Sequence, residues 1–185
     1  MRVFLVGPPG SGKSTVGKYL AAYLNAPFFD LDEVIEERAG ANIPWIFDVE
    51  GERGFRDREE VVVADFAARE DVVVATGGGV VLREANRTRM RTNCIVVYLS
   101  ATIDTLVART AGKDKRPLLA GKDPRPILTE MLELRGPLYE EVADITVMST
   151  GGSVKKLATV IVGKLAEIRE QRDERKTRER PERDP

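Results

Sequence analysis

The chain has 185 residues, 42% hydrophobic and 32% charged, with 29 Lys and Arg against 30 Asp and Glu for a formal net charge of −1. That length suits one domain of roughly 100–200 residues, and the balanced charge argues against a generic nucleic-acid binder, which neutralises phosphates with a basic surface. Histidine is absent and Cys94 is the one cysteine, which excludes Ser-His-Asp triads, His-ligated zinc, disulfide frameworks and multi-cysteine metal sites. No apolar run approaches the roughly 18 residues of a membrane span. The longest, Val72 to Leu82, is interrupted by Thr76 and three glycines. The apolar stretch near the N-terminus is too short for a secretory signal, so a reduced, cytoplasmic protein without membrane contact is expected.

In chain order, Val3-Phe4-Leu5-Val6 is an apolar run ending in glycine and reads as a buried strand. From Lys13, apolar residues at Val16, Leu20, Tyr23 and Leu24 have helical spacing, and Asn25-Ala26-Pro27 stops that helix. Phe28-Phe29 is a second strand, Asp32 to Arg38 a helix closed by Gly40, and Glu59 to Glu70 another helix. Val72 to Ala75 is a strand halted by Gly77-Gly78-Gly79. Cys94 to Leu99 is the next strand, and Ile103 to Thr110 the next helix. Residues 112–126 break the pattern, with Gly112, Pro117, Gly121, Pro124 and Pro126 set among Lys113, Lys115, Arg116, Lys122 and Arg125. Ile127 to Val142 reads as helix, Ile145 to Val147 as strand and Val154 to Ile168 as the last helix. Alternating short buried strands and helices predict an α/β fold, a parallel sheet covered on both faces. Residues 167–185 hold seven Lys or Arg and seven Asp or Glu, with Ile168 the sole apolar residue. A domain over 1–168 with a disordered charged tail over 169–185 is therefore expected.

Gly7-Pro8-Pro9-Gly10-Ser11-Gly12-Lys13-Ser14-Thr15 fits the G-x-x-x-x-G-K-[ST] phosphate loop without mismatch. It follows a strand and opens a helix, so backbone N–H groups and the positive end of the helix dipole converge on phosphate oxygens. Lys13 is placed to reach the β- and γ-phosphates, and the Ser14 hydroxyl to ligate Mg²⁺. The motif names a nucleotide and leaves the reaction open. Of the apolar strands, the one at Phe28-Phe29 ends in acids, Asp30-Leu31-Asp32. Two carboxylates two residues apart leave a strand end on one side. Asp32 also suits the N-cap of the following helix, a role compatible with a functional one.

These residues, together with Gly54-Phe55-Arg56-Asp57-Arg58-Glu59, Thr76-Gly77-Gly78-Gly79, Arg116-Pro117-Leu118-Leu119 and Arg135-Gly136-Pro137-Leu138-Tyr139, resemble the shikimate kinase family in order and spacing from residue 2 to about 165. The resemblance implies a three-layer α/β/α P-loop kinase fold with a five-stranded parallel sheet and a mobile lid, about 112–126. It implies transfer of the γ-phosphate of ATP to the 3-hydroxyl of shikimate. By the same resemblance Gly10, Ser11, Gly12, Lys13, Ser14, Thr15, Arg109 and Arg116 bind ATP, with Arg109 at the adenine. Ser14 and Asp30 serve Mg²⁺, Asp30 through water. Asp32, Arg56, Gly77, Gly78, Gly79 and Arg135 hold shikimate, and the catalytic set is Asp32, Lys13 and Arg116.

Elementary chemistry points the same way. Arg56 and Arg135 suit a carboxylate, because a guanidinium donates two parallel hydrogen bonds in a fixed fork. Glu59, three residues after Arg56, is spaced to orient it. Without histidine, a carboxylate such as Asp32 is the available base, and a loose phosphoryl-transfer transition state asks little of it. Trp45 is expected to pack in the segment Ile43–Asp48, Phe55 to wall the site, and Cys94 to fill core space. Where the family often carries a longer polar or basic side chain near the adenine, this chain has Ser149-Thr150-Gly151-Gly152-Ser153, so the resemblance implies purine contacts through the backbone. A monomer is expected. Two other readings remain: another small-molecule P-loop kinase, acting on gluconate or a nucleoside monophosphate, and a nucleotide-binding module without turnover.

Overall fold

The computed structural model describes residues 1–110, 123–150 and 152–178. Five strands, β1 (Arg2–Val6), β2 (Phe28–Asp30), β3 (Val72–Ala75), β4 (Ile95–Ser100) and β5 (Ile145–Met148), form one sheet in the order β2-β3-β1-β4-β5. Every pairing is parallel. Around it lie α1 (Lys13–Leu24), α2 (Leu31–Ala39), α3 (Ile43–Ala68), α4 (Glu84–Asn93), α5 (Ile103–Thr110), α6 (Pro124–Val142) and α7 (Val154–Arg178). This is the expected α/β/α layering with a five-stranded parallel sheet.

Alternation along the strands divides the core. Val3 and Leu5 of β1, Val73 of β3 and Val97 and Leu99 of β4 pack with α1 and α7 on one face. Phe4, Val6, Val74, Val96 and Tyr98 point to the other face, toward α2, α3, α4 and α6. With both faces buried, the strands read as unbroken apolar runs. The chain leaves β1 for neighbours on either side, so the C-terminal ends of β1, β3 and β4 open on a crevice where ligands bind in such sheets.

Three elements depart from the expectations. Helix α3 begins at Ile43, well before Glu59, and Asn42 caps it by accepting the Trp45 N–H at 2.9 Å. Gly51, at φ 70°, breaks its regularity, and so hides one long element as two unrelated segments. Helix α4 went unpredicted because it has hardly any apolar face, burying only Met90 and Asn86. It is docked instead by arginines: Arg83 and Arg89 reach Glu60 at 2.8 and 3.1 Å, and Arg87 reaches Glu141 at 3.3 Å. Helix α7 continues to Arg178, ten residues past the Ile168 at which the apolar spacing ends; residues 179–185 lie outside the described residues.

Of the expected lid, residues 111–122 lie outside the described residues, and Arg116 with them. Residues 123–126 form the capped start of α6, where Asp123 accepts the Arg125 N–H at 3.0 Å. Trp45 is half exposed at 52%, so the expected packing role falls to Ile46, Phe47 and Phe55, which are turned inward. Cys94 is buried, as expected.

Candidate active site

The loop between β1 and α1 takes its shape from glycines: Gly7, Gly10 and Gly12 all have positive φ, a region closed to most side chains. Gly12 caps α1 without a side-chain hydrogen bond, so the first N–H groups of the helix face outward with the dipole's positive end behind them. The Lys13 ammonium lies against the loop, donating to the Gly7 and Pro8 carbonyls at 2.8 and 3.0 Å. Ser11 is fully buried. Its hydroxyl has no partner among the described residues, and Ser11 is not among the residues lining the cavity, so it serves the loop through its backbone. Arg109, at the end of α5, donates to the Gly10 and Ser11 carbonyls at 3.2 and 3.4 Å and to the Ser149 hydroxyl at 2.9 Å. It thereby joins the phosphate loop to the segment after β5.

At the end of β2 the two acids have separate tasks. Asp30 is the N-cap of α2, one oxygen accepting the Asp32 N–H at 3.2 Å and the other the Ser14 hydroxyl at 2.5 Å. Asp32 lies in the first turn of α2 and is not the cap, which corrects the sequence expectation for its carboxylate. That carboxylate lies against the glycine turn after β3: a Cβ on Gly77 would stand 2.8 Å from Asp32 Oδ1 and 3.0 Å from Glu59 Oε1.

The glycine turn is crowded by side chains from three directions. A Cβ on Gly78 would meet Pro9 at 2.9 Å, and one on Gly79 would meet the Arg56 guanidinium at 2.2 Å. Three consecutive glycines are needed because Asp32, Pro9 and Arg56 all close on the backbone. Arg56, only 7% exposed, donates to Glu59 at 2.8 Å and to Glu52 at 3.3 Å (Nε) and 3.1 Å (Nη2). Each Nη retains a second N–H for a ligand. Burial lowers the Arg56 pKa, but Glu59 and Glu52 outweigh it and leave it raised, so the group stays cationic. Burial pushes the Glu59 carboxyl up, against the pull of Arg56 and Arg135. Arg135 is 8% exposed; its Nη1 donates to the Gly78 carbonyl at 3.2 Å, while its buried Nε has no acceptor among the described residues.

One cavity of about 1170 Å³ takes in both regions, larger than the roughly 300–1,000 Å³ of a single small-molecule site. Gly10, Gly12, Lys13, Ser14, Thr15 and Arg109 line one part. Asp30, Asp32, Arg56, Gly77, Gly78, Gly79 and Arg135 line the other, with Phe47, Phe55 and Met131 as apolar walls. The structure thus brings together every described residue expected of the site except the Ser11 side chain. Glu52, which Arg56 engages across one helical turn, was missed although its i, i+4 spacing is a readable signal. Ser149 carried none, its partner Arg109 lying 40 residues away in sequence.

A family model for shikimate kinase matches residues 9–166. The chain belongs to the shikimate kinase family. It is an ATP-dependent phosphotransferase with the P-loop kinase fold. A shikimate kinase of Vibrio cholerae is 53% identical over 165 residues, covering 89% of this chain and 95% of its own. Among solved structures, shikimate kinase from Acinetobacter baumannii in complex with shikimate superposes at a TM-score of 0.87 with 42% identity, covering 89% of this chain and 92% of that one. The enzyme from Aquifex aeolicus superposes at 0.78 with 34% identity, over 90% and 96% of the two chains.

Proposed function

We propose that this kinase transfers the γ-phosphate of ATP to the 3-hydroxyl of shikimate, giving shikimate 3-phosphate and ADP. The observation that carries the reading is the pair of buried arginines, Arg56 and Arg135, with free N–H groups beside a glycine turn and a carboxylate, in the cavity that the phosphate loop also lines. A small polyol bearing one carboxylate matches that donor set: the guanidinium forks take the carboxylate, and Asp32 with the glycine backbone takes hydroxyls.

In this reading the loop N–H groups and Lys13 hold the triphosphate, Arg109 borders the base, and Arg116 contacts the phosphates. Asp32 receives the proton of the 3-hydroxyl as its oxygen bonds to the γ-phosphorus. The bond from that phosphorus to the β,γ-bridging oxygen breaks, and ADP leaves with the electron pair. The transition state is loose, so alignment of acceptor and donor contributes more than the strength of the base. Ser14 and Asp30 fit Mg²⁺: their oxygens touch beside the phosphate loop, and this ion is commonly bound by few protein oxygens together with substrate phosphates. When bound, Mg²⁺ neutralises charge on the phosphate oxygens. A monomer is the proposed working unit. A cytoplasmic location accords with the use of ATP as donor.

The test is ADP release measured by a coupled assay with and without shikimate, with Mg²⁺ and with a chelator. ADP formation should require both shikimate and the divalent ion. Release that ignores shikimate but responds to gluconate or a nucleoside monophosphate rejects the assignment.

A further inference from the structure

Two side chains of α6 grip one carbonyl. Arg135 Nη1 donates to the Gly78 oxygen at 3.2 Å, and the Tyr139 hydroxyl, one helical turn on, donates to the same oxygen. Tyr139 is 1% exposed. Its ring stacks on Tyr98 of β4 with centroids 5.1 Å apart and planes at 25°. Held against the sheet on one side and within α6 on the other, its hydroxyl has little freedom to leave that oxygen.

The grip has a consequence for the peptide it holds. The Gly78–Gly79 bond is trans, so the Gly79 N–H points opposite to the Gly78 carbonyl. With the carbonyl fixed on α6, that N–H is turned away from α6. Among the described residues neither the Gly78 nor the Gly79 N–H has a protein acceptor, yet both glycines line the cavity. A turn of three glycines has many accessible conformations, and something must select the one that presents these donors. The neighbouring Arg135 cannot do so alone, because it is also a candidate ligand for the substrate.

We propose that Tyr139 is a positioning residue for the acceptor site: its hydroxyl, through the Gly78 carbonyl, sets the orientation in which the glycine-turn N–H groups and Arg135 meet the acceptor. This rests on the shikimate-site reading above. The hydroxyl is also a donor at every working pH, since burial pushes its pKa well above the ordinary tyrosine value.

The experiment is Tyr139→Phe, which keeps the ring and its stacking and deletes one O–H. KM and kcat are measured for shikimate at saturating ATP, KM for ATP at saturating shikimate, and the melting temperature alongside. The expected result is a shikimate KM raised about five- to thirtyfold, the scale of one hydrogen-bonding contact, with the ATP KM within about twofold of wild type and the shikimate effect unchanged across neutral pH. Tyr98→Phe, which retains the ring pair, leaves both KM values unchanged. A lower melting temperature with both KM values intact, or an equal rise in both, overturns the proposal in favour of packing alone. If Tyr139→Phe melts near the assay temperature, shikimate is titrated calorimetrically in the cold against the same criterion. A wild-type enzyme that does not use shikimate rejects the substrate reading instead, which separates the two failures.

Discussion

Replacing Gly79 by alanine adds one methyl group at the point where the glycine turn meets Arg56. At φ −103° and ψ 3° the backbone there suits alanine, so any effect comes from contact and not from strain. The new Cβ would lie 2.2 Å from Arg56 Nη2, 2.4 Å from Cζ and 2.5 Å from Nη1. To reach ordinary van der Waals separation, about 3.5 Å, the guanidinium must retreat by more than about 1 Å. Its retreat is resisted because it is buried and paired to Glu59 at 2.8 Å and Glu52 at 3.1 Å, and the open side is the cavity where the acceptor would sit. Overpacking of this kind costs roughly 1–3 kcal/mol, or about 3–10 °C in melting temperature for a chain of this size. The displaced fork loses one charge-assisted hydrogen bond to the acceptor, about 1.5–3 kcal/mol, so the KM for shikimate should rise about 10- to 150-fold while that for ATP stays within about twofold. The control is Gly163→Ala in α7, where an added Cβ meets nothing within 4 Å. It should stabilise the protein by about 0.5–1 kcal/mol, the ordinary helix preference for alanine, and leave kinetics untouched. Melting curves and steady-state ADP release on both variants decide the matter. A Gly79→Ala enzyme with wild-type affinity for shikimate would show that Arg56 does not need its observed position to bind the acceptor.

Asp32→Asn should lower turnover by about 10²–10⁴, the range of general acid–base catalysis. It should cost little stability, since Asp30 and not Asp32 caps α2; turnover within a few-fold of wild type would remove Asp32 from the chemistry. Arg56→Lys and Arg135→Lys keep a charge but lose the planar fork, so each should raise the shikimate KM by about tenfold or more at unchanged ATP affinity. An equal loss for both ligands would assign these arginines to the fold. Glu60 is held below the usual carboxylate range by hydrogen bonds from Arg83 and Arg89. A lowered folded pKa contributes stability above the unfolded value, about 4.3, and that stability is lost as pH falls through the folded value. Because Glu60 is a largely surface group, Glu60→Gln should lower the melting temperature by only about 1–4 °C at neutral pH. The gap should close below about pH 4, and a gap independent of pH would mean that Glu60 does not dock α4 by its charge.

The phosphate loop was fully legible in the sequence because its physics is local: glycines at fixed intervals, a preceding strand and a following helix act within nine consecutive residues. The parallel sheet was legible for a related reason, since strands buried on both faces must be apolar throughout, as Val72–Ala75 and Ile95–Leu99 are. Arg56 and Glu59 were readable as a pair because three residues along a helix is one face. Tertiary structure alone decided the rest. Helix α4 is held by ion pairs reaching to α3 and α6, which leave no hydrophobic period to detect. Two acids two residues apart after one strand look equivalent in sequence, and only the entry geometry of α2 made Asp30 the cap and set Asp32 against the glycine turn. The contacts of Arg109 with Ser149 and of Tyr139 with Gly78 span 40 and 61 residues. Contacts at that separation depend on how helices settle against the sheet, and packing of that kind has no short-range signature in the chain.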